Sequence, residues 1–196
     1  AHTDETGNKL GMWLFLYTEI VLFGGLFVLY AVYFAMHTDE FIEGGKQLNR
    51  MFGLVNTVIL LISSFAVAAS VTAIKKNEKQ RAMAGIMTAI LCGLIFLVNK
   101  YFEWGHKIEL GIFPGSETLA DGPGGLNIFF GLYYVITGLH GVHILIGLTL
   151  LVVSLIWVST GRIRPGRLAV LDNSGLYWHL VDLIWIFIFP LFYLVI

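Results

Sequence analysis

The sequence predicts an all-α integral membrane protein whose five transmembrane helices form a bundle. Hydrophobic residues make up 57% of the chain, and the mean hydropathy is +0.80. Charged residues make up only 13%, about half the share of soluble globular domains. The apolar residues are gathered in five runs that each reach the roughly 20 residues a spanning helix needs. These observations predict a single five-helix transmembrane domain over residues 1–196.

The five predicted helices cover residues 11–36, 52–74, 83–104, 126–159 and 176–196. The fourth is the longest and can cross a hydrocarbon layer of about 30 Å even when it is tilted. No internal repeat is found. The single cysteine, Cys92, lies in an apolar run and is interpreted as a small core residue.

The distribution of basic residues predicts the orientation. One side of the predicted membrane has eight of them: Lys9, Lys75, Lys76, Lys79, Arg81, Arg162, Arg164 and Arg167. The other side has three, together with six of the 13 acidic residues: Lys46, Arg50 and Lys107, with Asp39, Glu40, Glu43, Glu109, Glu117 and Asp121. By the positive-inside rule the N-terminus is cytoplasmic and the C-terminus lies outside.

Two further expectations concern the N-terminal segment and the connection between the fourth and fifth predicted helices. The segment 1–5 lacks the basic start of a signal peptide. The inner cluster of Arg162, Arg164 and Arg167 has two interpretations: contacts with anionic lipid headgroups, or charges that only fix the topology. The net charge of −1 gives no indication of nucleic-acid binding.

Ionisable residues inside spanning helices are costly and are therefore candidates for function. His140 and His143 lie three residues apart on the fourth helix and share a face. Small residues at Gly138, Gly141 and Gly147 predict that this helix packs closely against a specific neighbour.

Glu19 lies in the first helix between apolar residues. A carboxyl group there is expected to be protonated or hydrogen-bonded unless a cation pairs with it. Two interpretations stay open: a proton-linked or lipid-binding carboxyl, and a structural hydrogen bond between helices.

Two pairs of ionisable residues and one set of neutral polar residues are also predicted to interact. Glu103 can pair with Lys100 on one helix face and anchor the outer end of the third helix. His179 and Asp182 share a face near the inner end of the fifth helix, where Asp182 could accept from an imidazole. Polar residues of the second helix are predicted to hydrogen-bond to other helices: Asn56, Thr57, Ser63 and Ser64.

No metal site is predicted. Glu103-x-x-His106 and His140-x-x-His143 superficially resemble the Glu-x-x-His arrangement of di-iron bundles. However, Glu103 is expected at the outer end of the bundle and Asp182 near the inner end, about 20 Å away along the axis. A single site could not collect them.

At these residues the chain resembles subunit III of the haem-copper terminal oxidases, the cytochrome c and quinol oxidases. The resemblance covers all five helices in order, and its residues are Thr18-Glu19-Ile20-Val21-Leu22-Phe23, Asn56-Thr57-x-x-Leu60, Glu103-Trp104, Gly138-Leu139-His140-Gly141-Val142-His143-Ile144-x-x-Gly147 and Tyr177-Trp178-His179-Leu180-Val181-Asp182-x-x-Trp185. The chain departs from the family at Leu139 and Leu180, where Phe is usual, and at Lys100, where Gln is common. It resembles the five-helix bacterial form rather than the long form of seven helices.

The resemblance implies an accessory subunit that has no redox centre of its own and lies in the bacterial cytoplasmic membrane. Haem and copper would belong to partner subunits, with the catalytic subunit I and subunit II as neighbours and structural phospholipid bound. The complex would reduce O2 to water and pump protons, and this subunit would support proton uptake. Glu19 matches the family's carbodiimide-reactive carboxyl. The proton-linked or lipid-binding candidates are Glu19, His140, His143, His179, Asp182 and Glu103.

Two alternatives remain at this stage. One is a subunit-III-like helper of a nitric oxide reductase, which would share the fold and the motifs. The other is a free-standing proton-coupled transporter that uses Glu19, Asp182 and the histidines. Against the transporter, the helices show no inverted repeat or broken-helix pair.

Overall fold

The computed structural model describes residues 5–116, 119 and 122–195. These residues form six helices and no strand: α1 (Glu5–Met36), α2 (Thr38–Lys46), α3 (Arg50–Lys75), α4 (Lys79–Glu109), α5 (Gly124–Ser159) and α6 (Ala169–Tyr193). All except α2 are long and apolar enough to cross a membrane, α1 being counted from Lys9. The prediction of an all-α protein with five spanning helices is thus confirmed, and the orientation of the termini stays a prediction.

Several residues used above lie outside the described part of the chain. They are residues 1–4 of the N-terminal segment and the outer residues Glu117 and Asp121.

Several helices are longer at their polar ends than the apolar runs predict, and α1 begins at Glu5 instead of residue 11. Helix α4 continues to Glu109 instead of residue 104, and α6 begins at Ala169 instead of residue 176. The added turns contain charged and amide side chains, which end a hydropathy run but not a helix. As a consequence, His179 and Asp182 lie near the middle of α6, and the prediction that they lie near its inner end was wrong.

The ends of α3, α4 and α5 share one backbone motif. The residue after each C-cap has a positive φ: 61° at Asn77, 72° at Gly111 and 72° at Gly161. Glycine and asparagine tolerate this left-handed conformation. At α4 the next N–H, that of Ile112, bonds back to the Lys107 carbonyl at 2.9 Å, which satisfies a carbonyl that the helix leaves free.

The short helix α2 was not predicted, because its segment contains many charged residues and few apolar ones. Its Phe41 is nevertheless fully buried, and Gly44 lies directly against the ring of Phe129 on α5. Helix α2 therefore covers the N-terminal end of α5, on the side of the bundle that is predicted to face outside (the outer end).

Helices α3, α4, α5 and α6 form the main bundle, with α6 in contact with α3, α5 and α1. Trp178 and Trp185 of α6 are fully buried between these neighbours. Each indole N–H donates to a hydroxyl of α3, Trp178 to Ser63 at 2.8 Å and Trp185 to Thr57 at 3.0 Å. The tryptophans therefore fill the core and also bond α6 to α3.

Helix α1 packs against α5 and α6 along one stripe only. Its buried side chains, Leu16, Phe23 and Tyr30, recur every two turns, while its other faces are apolar and exposed. The Tyr30 hydroxyl donates to the carbonyl of Leu191 in the last turn of α6. Carbonyls at a helix end have no partner within the helix, so this bond satisfies one of them inside the membrane.

A close contact between α5 and α6 gives a test of this packing. A Cβ atom on Gly147 of α5 would lie 2.7 Å from the Trp178 ring, so Gly147→Ala should overpack the α5–α6 contact and cost roughly 1–3 kcal/mol. Gly131→Ala on the same helix meets no atom within 4 Å and is the matched control. Thermal unfolding in detergent measures both, and equal unfolding temperatures would contradict the packing described.

Candidate functional site

The first candidate site joins α1 to α5 through Glu19 and His143. The Glu19 Oε2 atom lies 2.8 Å from the His143 Nε2 atom. The exposed fractions are 14% for the Glu19 side chain and 9% for the His143 side chain. The imidazole has the ring of Phe23 edge-on at 5.2 Å between centroids and stacks against Tyr177. A carboxyl group and an imidazole therefore meet in largely apolar surroundings.

The other ring nitrogen of His143 fixes the number of protons in this pair. His143 Nδ1 lies 2.7 Å from the carbonyl oxygen of Leu139, one turn earlier in α5. A carbonyl oxygen can only accept, so Nδ1 carries a proton and donates it. The bond between Nε2 and Glu19 then contains one proton, placed on the carboxyl group beside a neutral imidazole or on the imidazole beside a carboxylate.

His140 does not join this site, although it shares a helix face with His143. Its Nε2 atom lies 3.1 Å from the carbonyl oxygen of Val181 on α6, and its ring contacts Phe96 and Trp185. Its Nδ1 atom has no hydrogen-bond partner among the described residues. The two histidines thus bond to different helices, His140 to α6 and His143 to α1.

His179 and Asp182 also have separate surroundings. The His179 Nδ1 atom and the Ser64 hydroxyl of α3 are 2.5 Å apart. Asp182 is 3% exposed, and neither carboxyl oxygen has a hydrogen bond of good geometry within the described part of the chain, although the Ser64 hydroxyl is near enough to interact with it. No imidazole bonds to Asp182 in this part of the chain.

A second polar cluster lies toward the outer end of the bundle. The predicted pair is present, with Lys100 Nζ 3.0 Å from Glu103 Oε2. Two tyrosines complete it: Tyr193 and Tyr133 donate to Glu103 Oε1 at 2.6 Å and 3.0 Å. Lys100 Nζ also lies 2.6 Å from the Tyr193 oxygen and 3.2 Å from the Tyr133 oxygen. The buried charges of Lys100 and Glu103 on α4 therefore compensate each other, and hydrogen bonds connect this pair to tyrosines of α5 and α6.

The two tyrosines are the functional partners that sequence reasoning missed. Tyr133 lies two turns before His140 on α5. The Tyr133 hydroxyl contacts Lys100 of α4, and His140 contacts the Val181 carbonyl of α6. That spacing was the available signal for Tyr133. Tyr193 carries no such signal, because its partner on α4 is 90 residues away in the sequence.

The polar residues of α3 make the predicted interhelical bonds. Asn56 accepts from Asn99 of α4 at 2.9 Å, and Ser63 donates to the Ala89 carbonyl at 3.3 Å. With the tryptophan bonds already described, these contacts fix α3 against both α4 and α6.

The structure also describes the side chains considered for metal binding and the arginines considered for lipid binding. Within residues 5–116, 119 and 122–195, no three His, Cys, Asp or Glu side chains are placed to hold a metal ion. The three arginines of the α5–α6 connection, Arg162, Arg164 and Arg167, are exposed. No carboxylate of the described residues pairs with them within 4.0 Å.

Five spanning helices with polar residues bonded between them define a multi-pass helical membrane protein. A family model described as Cytochrome c oxidase subunit III matches residues 1–195. The chain belongs to this family, within the haem-copper oxidases.

Individual relatives agree with the family match. The chain is 33% identical over 199 residues to a protein of Thermostichus vulcanus named cytochrome c oxidase subunit 3, covering 99% of this chain and 90% of the relative. It is 28% identical over 194 residues to cytochrome bo(3) ubiquinol oxidase subunit 3 of Pseudomonas aeruginosa, covering 99% of this chain and 88% of the relative.

A third relative is longer. Heme-copper oxidase subunit I+III of Aeropyrum pernix is 29% identical over 197 residues, which cover 95% of this chain and 22% of the relative. Family membership implies a complex with a catalytic subunit I, and the chain is a multi-pass protein of the bacterial inner membrane.

The buried Lys100–Glu103 pair is expected to be essential for stability. Lys100→Met leaves a buried carboxylate without its cation and should cost roughly 3–5 kcal/mol. The exposed Arg81–Glu78 pair, with N and O atoms 2.8 Å apart, is the control, since Arg81→Gln should cost at most about 1 kcal/mol.

The double variant K100Q/E103Q removes both charges and should regain part of the loss. Thermal unfolding of the four proteins in detergent gives the comparison. A Lys100→Met protein as stable as Arg81→Gln would show that the cluster is not a stabilising unit.

Proposed function

We propose that this chain is the accessory, non-redox subunit III of a cytochrome c or quinol oxidase that reduces O2 to water and pumps protons. In this role it stabilises the catalytic subunit, binds lipid and supports proton uptake. The observation that carries the proposal is the Glu19–His143 pair, which holds one proton between two titratable atoms 2.8 Å apart. Haem and copper belong to the partner subunits.

The geometry of the pair suits proton delivery. Moving the proton from the Glu19 oxygen to the His143 nitrogen needs no rearrangement of the helices, because both heavy atoms are already at hydrogen-bond distance. The two states differ in charge separation, so their balance responds to any nearby change of charge in a low-dielectric medium. A change of charge in the neighbouring catalytic subunit could therefore draw the proton from the pair.

Two observations support the partner and lipid assignments. The Aeropyrum pernix relative is named as a subunit I and subunit III in one chain, which supports subunit I as the direct neighbour of this protein. Arg162, Arg164 and Arg167 are exposed on one short connection, and such a basic segment attracts anionic headgroups at a membrane surface. We assign lipid retention on this side to these arginines.

Glu19 is expected to affect sustained turnover more than assembly. Glu19→Ala removes the proton site and one contact of α1, so the complex should assemble but lose activity after fewer turnovers or take up protons more slowly. Glu19→Gln keeps a hydrogen-bond donor for His143 Nε2 but cannot release a proton, so it should show the same functional loss with normal stability. Turnovers before inactivation and proton uptake by the reconstituted oxidase are the measurements.

The matched control is Glu43→Ala, because Glu43 is exposed on α2 and makes only a long contact of 3.9 Å to Lys46. Infrared difference spectroscopy adds a readout that a structural role would not change, since a carboxyl proton signal should disappear in Glu19→Gln. Turnover, proton uptake and lipid content like those of the unaltered complex in both Glu19 variants would remove Glu19 from the proton path.

The complex itself gives a separate test. Purification of this chain from its native membrane in mild detergent should bring haem with a carbon monoxide-sensitive component. A haem partner without the oxidase copper would favour the nitric oxide reductase helper. A haem-free protein that moves protons in liposomes would favour the transporter.

A further inference from the structure

A pocket of about 390 Å³ lies at the outer end of the bundle, on the side opposite to the three arginines. It is formed where the α2–α3 connection meets the last turns of α4. Its polar lining includes three basic side chains, Lys46, His106 and Lys107, and its apolar lining includes Phe52 and Phe102. The Glu19–His143 pair plays no part in it.

Lys107 carries a buried charge with few partners. It is 5% exposed, and its Nζ atom makes one hydrogen bond, to the carbonyl oxygen of Gln47 at 3.0 Å. An ammonium group has three N–H donors. Among the described residues, its charge also faces the ring of Phe130, 5.8 Å from Nζ, and interacts at longer range with the carboxylate of Glu103. No carboxylate of that part of the chain lies within 4.0 Å of it.

Glu103, the carboxylate in the pocket lining, is shared between Lys107 and other partners. Glu103 lines the pocket, but one of its oxygens bonds to Lys100 and the other accepts from two tyrosines. Because Glu103 already pairs with Lys100 at 3.0 Å, it compensates the charge of Lys107 only in part. Lys46 adds a second positive charge at the rim, held only by a long exposed contact with Glu43.

A buried charge without a counter-charge is costly, and an anion that enters the pocket would remove that cost. The apolar side of the pocket indicates what carries the anion. Phe102 is 62% exposed on the spanning helix α4, and a neighbouring depression of about 680 Å³ shares Phe102 and His106 and continues past Tyr101 and Trp104. A phosphate beside the lysines and an acyl chain along these aromatic side chains would occupy both regions.

We propose that this outer pocket binds the headgroup of an anionic phospholipid, with its phosphate at Lys46 and Lys107. It is a second lipid site, distinct from the arginine segment on the inner side. Unlike the arginine segment, it contains a buried ammonium, which gives it selectivity for an anionic over a zwitterionic headgroup.

The test uses the whole complex purified from its native membrane and washed with increasing detergent. Native mass spectrometry counts the phosphatidylglycerol that remains on each complex. Lys107→Met should abolish retention of one lipid, and Lys46→Gln should weaken it about fivefold. Lys76→Gln, at an exposed lysine on the opposite side, is the control and should retain the lipid.

Other outcomes would overturn the proposal. Equal retention in all variants would exclude the pocket, and Lys46→Gln decides the matter if Lys107→Met does not assemble. Bound phosphate that exchanges with inorganic phosphate during dialysis would show a free ion instead of a lipid. Carboxyl-to-amine cross-linking of Lys46 or Lys107 to an acidic segment of another subunit would show a protein partner. Because lipid retention is measured without turnover, none of these results depends on the role of Glu19.

Discussion

The structure depends on one constraint: a polar group in the hydrocarbon layer is satisfied by a partner within the protein, because no water is there to provide one. Many of these partners lie on another helix. The bonds of Trp178 and Trp185 to α3, of Lys100 to Tyr193 and of Tyr30 to the end of α6 all follow from it. Apolar contact alone does not distinguish a neighbouring helix from lipid. The hydrogen bonds therefore select which helices are neighbours and at what height they meet.

Family membership and this pattern of bonds support the same interpretation. The proposed accessory role needs helices that keep ionisable groups in place beside a catalytic neighbour. Glu19, His140, Asp182 and Glu103 are all largely buried between helices, yet each has different partners. Glu103 is paired with Lys100 and two tyrosines, whereas Glu19 has a single imidazole partner, to which the proposed function assigns the exchange of a proton.

Much of the fold could be predicted from the sequence, because a membrane span is a local property of about 20 residues. The Lys100–Glu103 pair was equally local, lying one helical turn apart. The partner of Glu19 could not be predicted in this way, since several polar groups on other helices could have bonded to it. His143 was instead expected to act on the same helix face as His140. The start of α6 at Ala169 was missed because Asp172 and Asn173 interrupt the apolar run without ending the helix.

The narrow stripe by which α1 joins the bundle has a mechanical consequence. Two polar bonds, Glu19 to His143 and Tyr30 to Leu191, lie three turns apart on this helix. Its other contacts with neighbouring helices are apolar and less directional than a hydrogen bond. The two hydrogen bonds therefore fix the height and the rotation of α1 in the bundle. Turning the helix by one residue, about 100°, would break both bonds at once. The hydrogen bond between Glu19 and His143 thus also holds the position of α1, so a change in the charge state of this pair would act on the alignment of the whole helix.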